Sequence, residues 1–251
     1  MVDTAHRDYE WAQWFKAGGF IHSQWTTIPV VGNHEFQRTK NSSPKRLSIQ
    51  WRPQFTLPVE QSLDPKLHET VYTVNYQDVL ILVLNSTDFL EKQTDYIKEK
   101  LSSSNAKWKI VTCHHSVFSP AQGRDFEFAR KNWKPLFDKY GVDLVLNGHD
   151  HSYARGHVPI KNTDNNTSSD FNTLYVTSVS GPKQYKIGLD QLDDYGSDGY
   201  IVNKTAEQTQ FFQVITIENE KLIYKAYTAL GDEYDTAIIK KDFSTGKKSL
   251  E

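Results

Sequence analysis

The chain is poor in cysteine and in long apolar runs. Cys113 is the single cysteine among 251 residues, so no disulfide can form within the chain. It ends an apolar segment, which indicates a small buried hydrophobic side chain. No apolar run approaches the roughly 20 residues that a membrane-spanning helix requires, so we expect no membrane span. A reduced cytosol and export without disulfides both fit this composition, which leaves the localisation open.

An excess of charge of one sign is also missing. The formal net charge is −2, with 29 lysines and arginines against 31 aspartates and glutamates. Because the basic residues are dispersed, the sequence predicts no nucleic-acid partner. Aromatic residues, in contrast, make up 13% of the chain, which is typical of packed cores and not of disorder. The composition does not indicate an oligomeric state.

Apolar strands alternate with amphipathic helices through the middle of the chain. This alternation predicts an α/β layered architecture. A first helix, with Trp11, Trp14 and Phe15 on one face, is expected to cover a sheet. The other predicted helices span 93–101 and 129–140, the latter divided at Pro135. The predicted strands of this part span 28–31, 71–74, 79–84, 110–113 and 142–146.

The last third of the chain has a different pattern. Beyond a polar loop over 161–172, strands are predicted at 174–177, 211–217, 222–227 and 236–240, and we expect them to form an antiparallel meander. The sequence between the two parts does not have the composition of a linker, and the chain contains no internal repeat. We therefore expect a single domain over residues 1–249. Residues 250–251 resemble a vector-derived addition.

Histidines follow three of the predicted strands. The motifs are Gly32-Asn33-His34-Glu35, His114-His115-Ser116 and Gly148-His149-Asp150-His151. Each motif alone is a weak signal in a chain with nine histidines. However, loops at the carboxyl ends of parallel strands meet in one crevice, and alternate residues of an extended segment lie on one side. The three loops are therefore predicted to share one site, at which His149 and His151 can serve one metal ion or two adjacent ones.

Taken in order, these motifs resemble those of the calcineurin-like metallophosphoesterases. The flanking segments are most similar to the purple acid phosphatase branch of that family. These segments are Trp108-Lys109-Ile110-Val111, Tyr140-Gly141-Val142-Asp143 and Tyr153-Ala154-Arg155. The resemblance implies an α/β (α+β) fold of two packed mixed β-sheets flanked by helices, without its first strand–helix unit. It also implies a metal-dependent phosphoric ester hydrolase.

The resemblance assigns roles to single residues. It implies that Asn33, His114 and His149 bind one metal ion and that His151 binds a second. These nitrogen and oxygen ligands suit manganese, iron or zinc and do not choose among them. The implied partner is a small-molecule phosphate ester, whose charge two cations would neutralise.

Three further roles are implied for the groups around the substrate. His34 would protonate the leaving alkoxide, with Asp3 as the carboxylate that keeps its ring charged. Substrate contacts are expected from His115 and Tyr153.

The chain departs from the family pattern at its start. No Asp-x-His precedes His34, and no complete Gly-Asp-x-x-Asp is present; the segment Met1-Val2-Asp3 resembles the end of the latter motif. We therefore expect a domain that is incomplete at its N-terminus and lacks the carboxylate that bridges the two metals. The expected consequences are partial or no metal occupancy, a poorly bound second ion and very low activity.

Several alternatives stay open at this point. A non-catalytic binding module could use the same crevice, or the aromatic segment around Trp51, which fits core packing equally well. A single structural metal site of His114, His149 and His151 is the second alternative, although its lack of thiolates is unusual for structural zinc. His115 would replace His114 as the ligand if the register shifted by one residue. Glu35 would either orient a neighbour or cap a helix.

Overall fold

The computed structural model describes residues 1–37, 44–160 and 171–251, so most of the polar loop predicted at 161–172 lies outside the described residues. The helices are α1 (Asp8–Gly18), α2 (Phe20–Gln24), α3 (Trp51–Gln54), α4 (Thr94–Ser103), α5 (Glu127–Asn132), α6 (Lys134–Lys139) and α7 (Leu189–Asp194). The strands are β1 (Phe36–Gln37), β2 (Arg46–Leu47), β3 (Tyr72–Tyr76), β4 (Val79–Leu84), β5 (Trp108–Cys113), β6 (Leu144–Asn147), β7 (Tyr153–Pro159), β8 (Phe171–Thr177), β9 (Ile201–Ala206), β10 (Phe211–Glu218), β11 (Lys221–Thr228), β12 (Glu233–Lys241) and β13 (Lys248–Leu250). Among these described helices, none has the length and apolar character needed to cross a bilayer.

A seven-stranded mixed sheet forms the centre of the fold. Its strand order is β3-β4-β5-β6-β8-β7-β9, and β4, β5, β6 and β8 run parallel. The parallel strands are near-continuous apolar runs because both of their faces are covered. The hairpin of β3 and β4 is confirmed, and its tight turn places Gln77 at a φ of 51°. The four parallel strands direct their carboxyl ends to one edge of the sheet.

The two faces of this sheet carry different layers. Helices α4 to α7 pack on one face, where Ile97, Trp133 and Phe137 are fully buried. The four-stranded sheet β10-β11-β12-β13 packs on the other face through residues such as Tyr224 and Ile239. The expected α/β fold with two packed sheets and flanking helices is therefore present. Helices α5 and α6 are separated at Trp133, as predicted from the proline at position 135.

Helix α1 has the expected bounds but not the expected partner. Trp11 packs in a separate N-terminal cluster with Val31, Trp51 and Phe55, and not against a strand of the large sheet. The prediction that α1 covers a sheet was wrong, because the aromatic residues of α3 and its flank supply an apolar surface of their own. Trp51 is completely buried and donates its indole N–H to the carbonyl of Glu69. Core packing, and not a cleft, is thus its role.

Three strand predictions need correction. Residues 28–31 form no strand; Pro29 cannot donate to a ladder, and its carbonyl accepts from the hydroxyl of Tyr72 instead. Strand β8 belongs to the central sheet, between β6 and β7, and not to the meander. The second sheet is antiparallel throughout, and not mixed, because short connections join its consecutive strands.

The last residues of the chain take part in the second sheet. Strand β13 pairs Leu250 with Ile239 of β12. The ammonium of Lys248, nearly buried, lies 3.2 Å from the carboxylate of Asp143, the residue before β6. Residues 250–251, expected to be vector-derived, thus extend a sheet whose edge is tied to the central sheet.

A buried ion pair joins the two sheets. The guanidinium of Arg155, on β7, donates from Nε and Nη2 to the two oxygens of Asp235 on β12, at 2.7 and 2.8 Å. The hydroxyl of Tyr153 donates to the same carboxylate at 2.6 Å. Two parallel bonds of this kind give both strength and a defined orientation. The charge of Arg155 on β7 can therefore be buried, because Asp235, 80 residues later in the chain, neutralises it.

Removing the charge of Asp235 is expected to destabilise the fold. In Asp235→Asn, the buried guanidinium of Arg155 would lose its counter-charge while the shape is kept, at a cost of about 3–5 kcal/mol in the free energy of unfolding. Urea denaturation followed by circular dichroism measures this difference. Asp232→Asn, at an exposed residue of the turn before β12, should change the stability by less than about 0.5 kcal/mol. Equal stabilities for the two variants would contradict a structural role for the pair.

Candidate metal centre

Three loops bring their side chains together at the carboxyl edge of the central sheet. His114 follows the last residue of β5, and His149 lies two residues beyond the end of β6. The pairing of Cys113 with Asn147 sets the ends of both strands at one level. A backbone hydrogen bond from Gly148 to the carbonyl of His114, at 3.0 Å, joins the loops directly. Asn33 reaches the same point from the loop before β1.

The potential ligand atoms of these residues converge on one point. Asn33 Oδ1 lies 2.7 Å from His114 Nε2 and 3.1 Å from His149 Nδ1, and the two ring nitrogens lie 3.0 Å apart. Ligand atoms about 2.1 Å from an ion and at right angles to each other lie about 3.0 Å apart. The three atoms therefore match one face of an octahedral site, and the residues fit a metal ion.

The backbone is shaped to allow this approach. His149 has a φ of 65°, a left-handed conformation that is uncommon among residues other than glycine and is often found at functional sites. A Cβ atom on Gly32 would lie 2.8 Å from His114 Nδ1, so only glycine fits beside that ring. The buried carboxylate of Glu35 accepts the N–H of Gly32 at 2.7 Å. Glu35 thus orients the loop that carries Asn33 and does not cap a helix.

Burial keeps the clustered rings neutral. Desolvation, followed by the charges of neighbouring histidines, lowers the pKa of His114 to about 2. The same main cause lowers the pKa of His149 to about 3 and that of His115 to about 4. Neutral imidazoles have a lone pair to give to a metal, so the rings are ready ligands at neutral pH.

His115 completes a group of three rings. The ligand atoms of His114, His115 and His149 all lie within 4.8 Å of one another. His115 is held by Ser86, whose hydroxyl lies 2.9 Å from Nδ1. The contact with Asn33 is made by His114, which agrees with the unshifted register. Substrate binding by His115 stays a prediction.

His151 lies at the same crevice but outside this group of three. Its Nδ1 donates to the carbonyl of Lys183 at 3.0 Å, and its ring lies 4.7 Å from that of Tyr185. Burial lowers its pKa, with smaller contributions from nearby charges that include His34. A single structural site made of His114, His149 and His151 therefore receives no support from this geometry. Its assignment to a second ion stays a prediction.

His34 and Asp3 are in contact. The Nδ1 atom of His34 donates to the backbone carbonyl of Asp3 at 2.6 Å and lies 3.6 Å from its carboxylate. The side chain of His34 is 46% exposed, which leaves it accessible to a substrate in the crevice. The ring is therefore held by the backbone carbonyl of Asp3, with the carboxylate nearby, and its role as a proton donor is a prediction.

Tyr153 does not lie at the site, which corrects the expectation of substrate binding. It is completely buried, and its hydroxyl lies between the sheets, against Tyr224 and Asp235. As the first residue of β7, Tyr153 directs its side chain toward the second sheet and away from the crevice. Tyr153 is near Gly148 in the sequence, and for this reason we expected it at the site. The direction of β7 places its side chain between the two sheets instead.

Two residues that no motif indicated lie at the site. Nη1 of Arg124 lies beside Nε2 of His149, and Nη2 donates to the hydroxyl of Tyr185 at 3.1 Å. Arg124 lies in a polar connection and Tyr185 in a loop after β8, each without a periodic pattern. Nothing in the local sequence could have identified them, because their proximity depends on how the loops fold over the edge of the sheet.

Comparisons with known proteins show the family of the chain. The family model described as calcineurin-like phosphoesterase matches residues 1–153. A Mycobacterium tuberculosis protein is 26% identical over 168 residues, which cover 59% of this chain and 31% of that protein. Purple acid phosphatase 1 of Ipomoea batatas is 26% identical over 162 residues, or 60% of this chain and 33% of that protein. The chain thus spans about a third of the length of these curated relatives.

The fold also has a similar solved structure. The structure of the purple acid phosphatase PPD1 from yellow lupin seeds aligns with 93% of this chain and 44% of its own, with a TM-score of 0.67. The sequence identity is 20%, so this similarity concerns the fold. It supports the arrangement of two packed sheets with flanking helices.

Proposed function

Because the chain belongs to the calcineurin-like phosphoesterase family, we propose that it is the domain of a metal-dependent phosphoric ester hydrolase. The observation that carries this proposal is the convergence of Asn33, His114 and His149 on one point. These residues come from three loops that lie between 35 and 116 positions apart, and they have little other reason to bury three polar groups together. The same residues would hold the first metal ion.

The chemistry follows from the groups around the crevice. When bound, the metal ions supply positive charge for the phosphate oxygens and lower the pKa of water to roughly 7. The neutral rings of His114 and His149 leave the ligand positions unprotonated. His34 gives a proton to the leaving alkoxide oxygen, and Asp3 holds the ring that carries it. The substrate is a small-molecule phosphate ester.

We further propose that the second ion binds weakly in this chain. His151 is its one expected ligand outside the first group, and no Asp-x-His precedes His34 in the sequence. Loss of the groups that hydrogen-bond to metal ligands weakens metal binding by about 10- to 100-fold, and loss of a ligand itself weakens it further. Partial occupancy and slow turnover are the consequence, because one ion cannot neutralise both the attacking and the leaving oxygen.

Hydrolysis of p-nitrophenyl phosphate in the presence of manganese, followed by absorbance, tests both proposals. We expect one tightly bound ion per chain and a kcat at least about 100-fold below the roughly 10 s⁻¹ of an ordinary enzyme. A kcat near 10 s⁻¹ would contradict the weak second site and keep the hydrolase. A chain that binds no ion and shows no turnover above that of His149→Asn would contradict the hydrolase itself.

A further inference from the structure

A pocket of about 460 Å³ lies next to the metal centre but is lined by other residues. Its walls come from the hairpin of β1 and β2, helix α3, a short turn and the loop after β4. Two of these walls continue from the metal centre. Phe36 lies two residues after His34. The loop after β4 carries Ser86, which holds His115, and Phe89, which lines the pocket. A ligand of this pocket would therefore lie beside the crevice.

Positive charge dominates the lining of this pocket. The single carboxylate of Asp88 is opposed by four cationic side chains, those of Lys45, Arg46, Arg52 and Lys66. Glu69 pairs with Arg52 from outside the lining, at 3.0 Å, so the cations still exceed the carboxylates by two. The whole chain has a formal net charge of −2, which makes this excess local. A concave surface with such a charge concentrates anions.

Two of the cations are held in place by their neighbours. Nε of Arg52 donates to the carboxylate of Glu69 at 3.0 Å, and Nη2 donates to the carbonyl of His68 at 3.4 Å. A guanidinium has five N–H groups, so these bonds leave others for a ligand. The ammonium of Lys66 lies 5.0 Å from the centre of the Phe89 ring, within the range of a cation–π contact. The positive charge at the rim is thus positioned before a ligand arrives.

An apolar wall distinguishes this pocket from a simple anion site. Phe36 and Leu47 are paired across the hairpin of β1 and β2, and both line the pocket together with Phe89. Small-molecule sites combine apolar walls of this kind with a few placed charges. Inorganic phosphate would contact the charges and leave the wall uncovered, whereas a metal ion would be repelled. The lining therefore fits a molecule with an apolar body and several negative charges.

We propose that this pocket binds a small organic anion that has an apolar ring and at least two negative charges. The ring covers the wall formed by Phe36 and Leu47. The charged groups contact Arg46, Arg52 and Lys66 in charge-assisted hydrogen bonds. Such an anion has two sources, because it is either the leaving group of the phosphate ester or a separate molecule that binds beside the crevice. The first of these sources rests on the proposed function.

Benzene-1,3,5-tricarboxylate is the probe for the binding test. Isothermal titration at low ionic strength uses a chain freed of metal on a chelating resin, so that the carboxylates cannot bind through an ion. We expect binding that the double variant Arg46→Gln, Lys66→Gln weakens by at least about tenfold, because hydrogen bonds to charged groups contribute about that factor each. The matched control is Lys98→Gln with Lys221→Gln. Both lysines are exposed and lie outside the pocket lining, and the change in net charge is the same.

Several outcomes of this titration would overturn the proposal. Absence of binding, or equal binding by the two double variants, would show that the pocket is not the site. Propane-1,2,3-tricarboxylate has the same three carboxylates without a ring, and it should bind at least about fivefold more weakly because it covers less of the apolar wall. Equal affinities for the two tricarboxylates would overturn the role of that wall. Circular dichroism of the variants checks that the fold is kept.

Hydrolysis in the presence of manganese distinguishes the two sources of the anion. The substrates are phenyl phosphate and the phosphate ester of 5-hydroxyisophthalate, whose leaving group carries two carboxylates. If the pocket holds the leaving group, kcat/KM for the second ester relative to the first should fall by at least about tenfold in Arg46→Gln, Lys66→Gln and stay unchanged in the control. An unchanged ratio, together with probe binding that depends on the pocket, would identify a separate ligand. Probe binding in a chain that hydrolyses neither ester would contradict the hydrolase and keep the pocket.

Discussion

Replacing His149 with asparagine is expected to weaken zinc or manganese binding by more than about 100-fold. The ring nitrogen of His149 lies within 3.1 Å of both Asn33 Oδ1 and His114 Nε2, so its loss removes one of three converging ligand atoms. Changes to the groups behind a ligand already cost about 10- to 100-fold, and the ligand itself should cost more. Asparagine is chosen because it tolerates the positive φ of this residue better than other side chains. Isothermal titration of the metal measures the effect.

His157→Gln provides the matched control. His157 is a histidine of β7 whose Nδ1 contacts the side-chain oxygen of Asn203, away from the cluster. Its replacement should leave the metal affinity within about twofold of the unaltered chain. If both variants bind metal equally well, His149 is not a ligand. Circular dichroism of both proteins checks that the fold is kept.

Lowering the pH from 7 to 5 is expected to destabilise the metal-free chain by on the order of 5 kcal/mol. The pKa values of His114, His149 and His115 are about 2, 3 and 4 in the folded chain. In the unfolded chain they are about 6.5. Between these values the unfolded state binds more protons, so stability falls as the pH drops below about 6.5. Each ring contributes about 1.4 kcal/mol per pH unit, which is large beside a total stability of about 5–15 kcal/mol.

Urea denaturation with a chelator present, repeated at half-unit steps between pH 7 and 5, measures this slope. His115→Gln removes one of the three rings and should reduce the slope by about 1.4 kcal/mol per pH unit below pH 6. Burial raises the pKa of Asp150, which acts with the opposite sign. A stability that is flat across this range would contradict burial of the neutral rings.

Regular strands and helices of the central layer were predictable because their patterns are local. The run from Val79 to Leu84 is apolar without interruption, which is typical of a parallel strand covered on both faces. Strand β7 was missed because Arg155, Gly156 and His157 interrupt any such pattern. Its burial depends on Asp235, a residue that local reasoning cannot pair with Arg155.

The residues at the site also differ in whether the sequence predicted them. Asn33, His114 and His149 lie in motifs with a recognisable pattern, a glycine or histidine directly after an apolar segment, and the structure brings them together. Tyr153 shares the motif's neighbourhood in the sequence, yet its side chain faces the other sheet. Arg124 and Tyr185 carry no such pattern, and they meet only because the loops beyond β5 and β8 fold over one edge.

The sequence by itself determined the α/β class of this protein, its family and the three histidine loops, because apolar periodicity and motif spacing are properties of neighbouring residues. Only the tertiary structure decided which side chains share the crevice, that Trp51 and Tyr153 belong to cores, and that a guanidinium lies beside His149. Those facts depend on contacts between residues tens of positions apart. Such contacts are selected by burial and charge pairing across the whole fold, and no short segment encodes them.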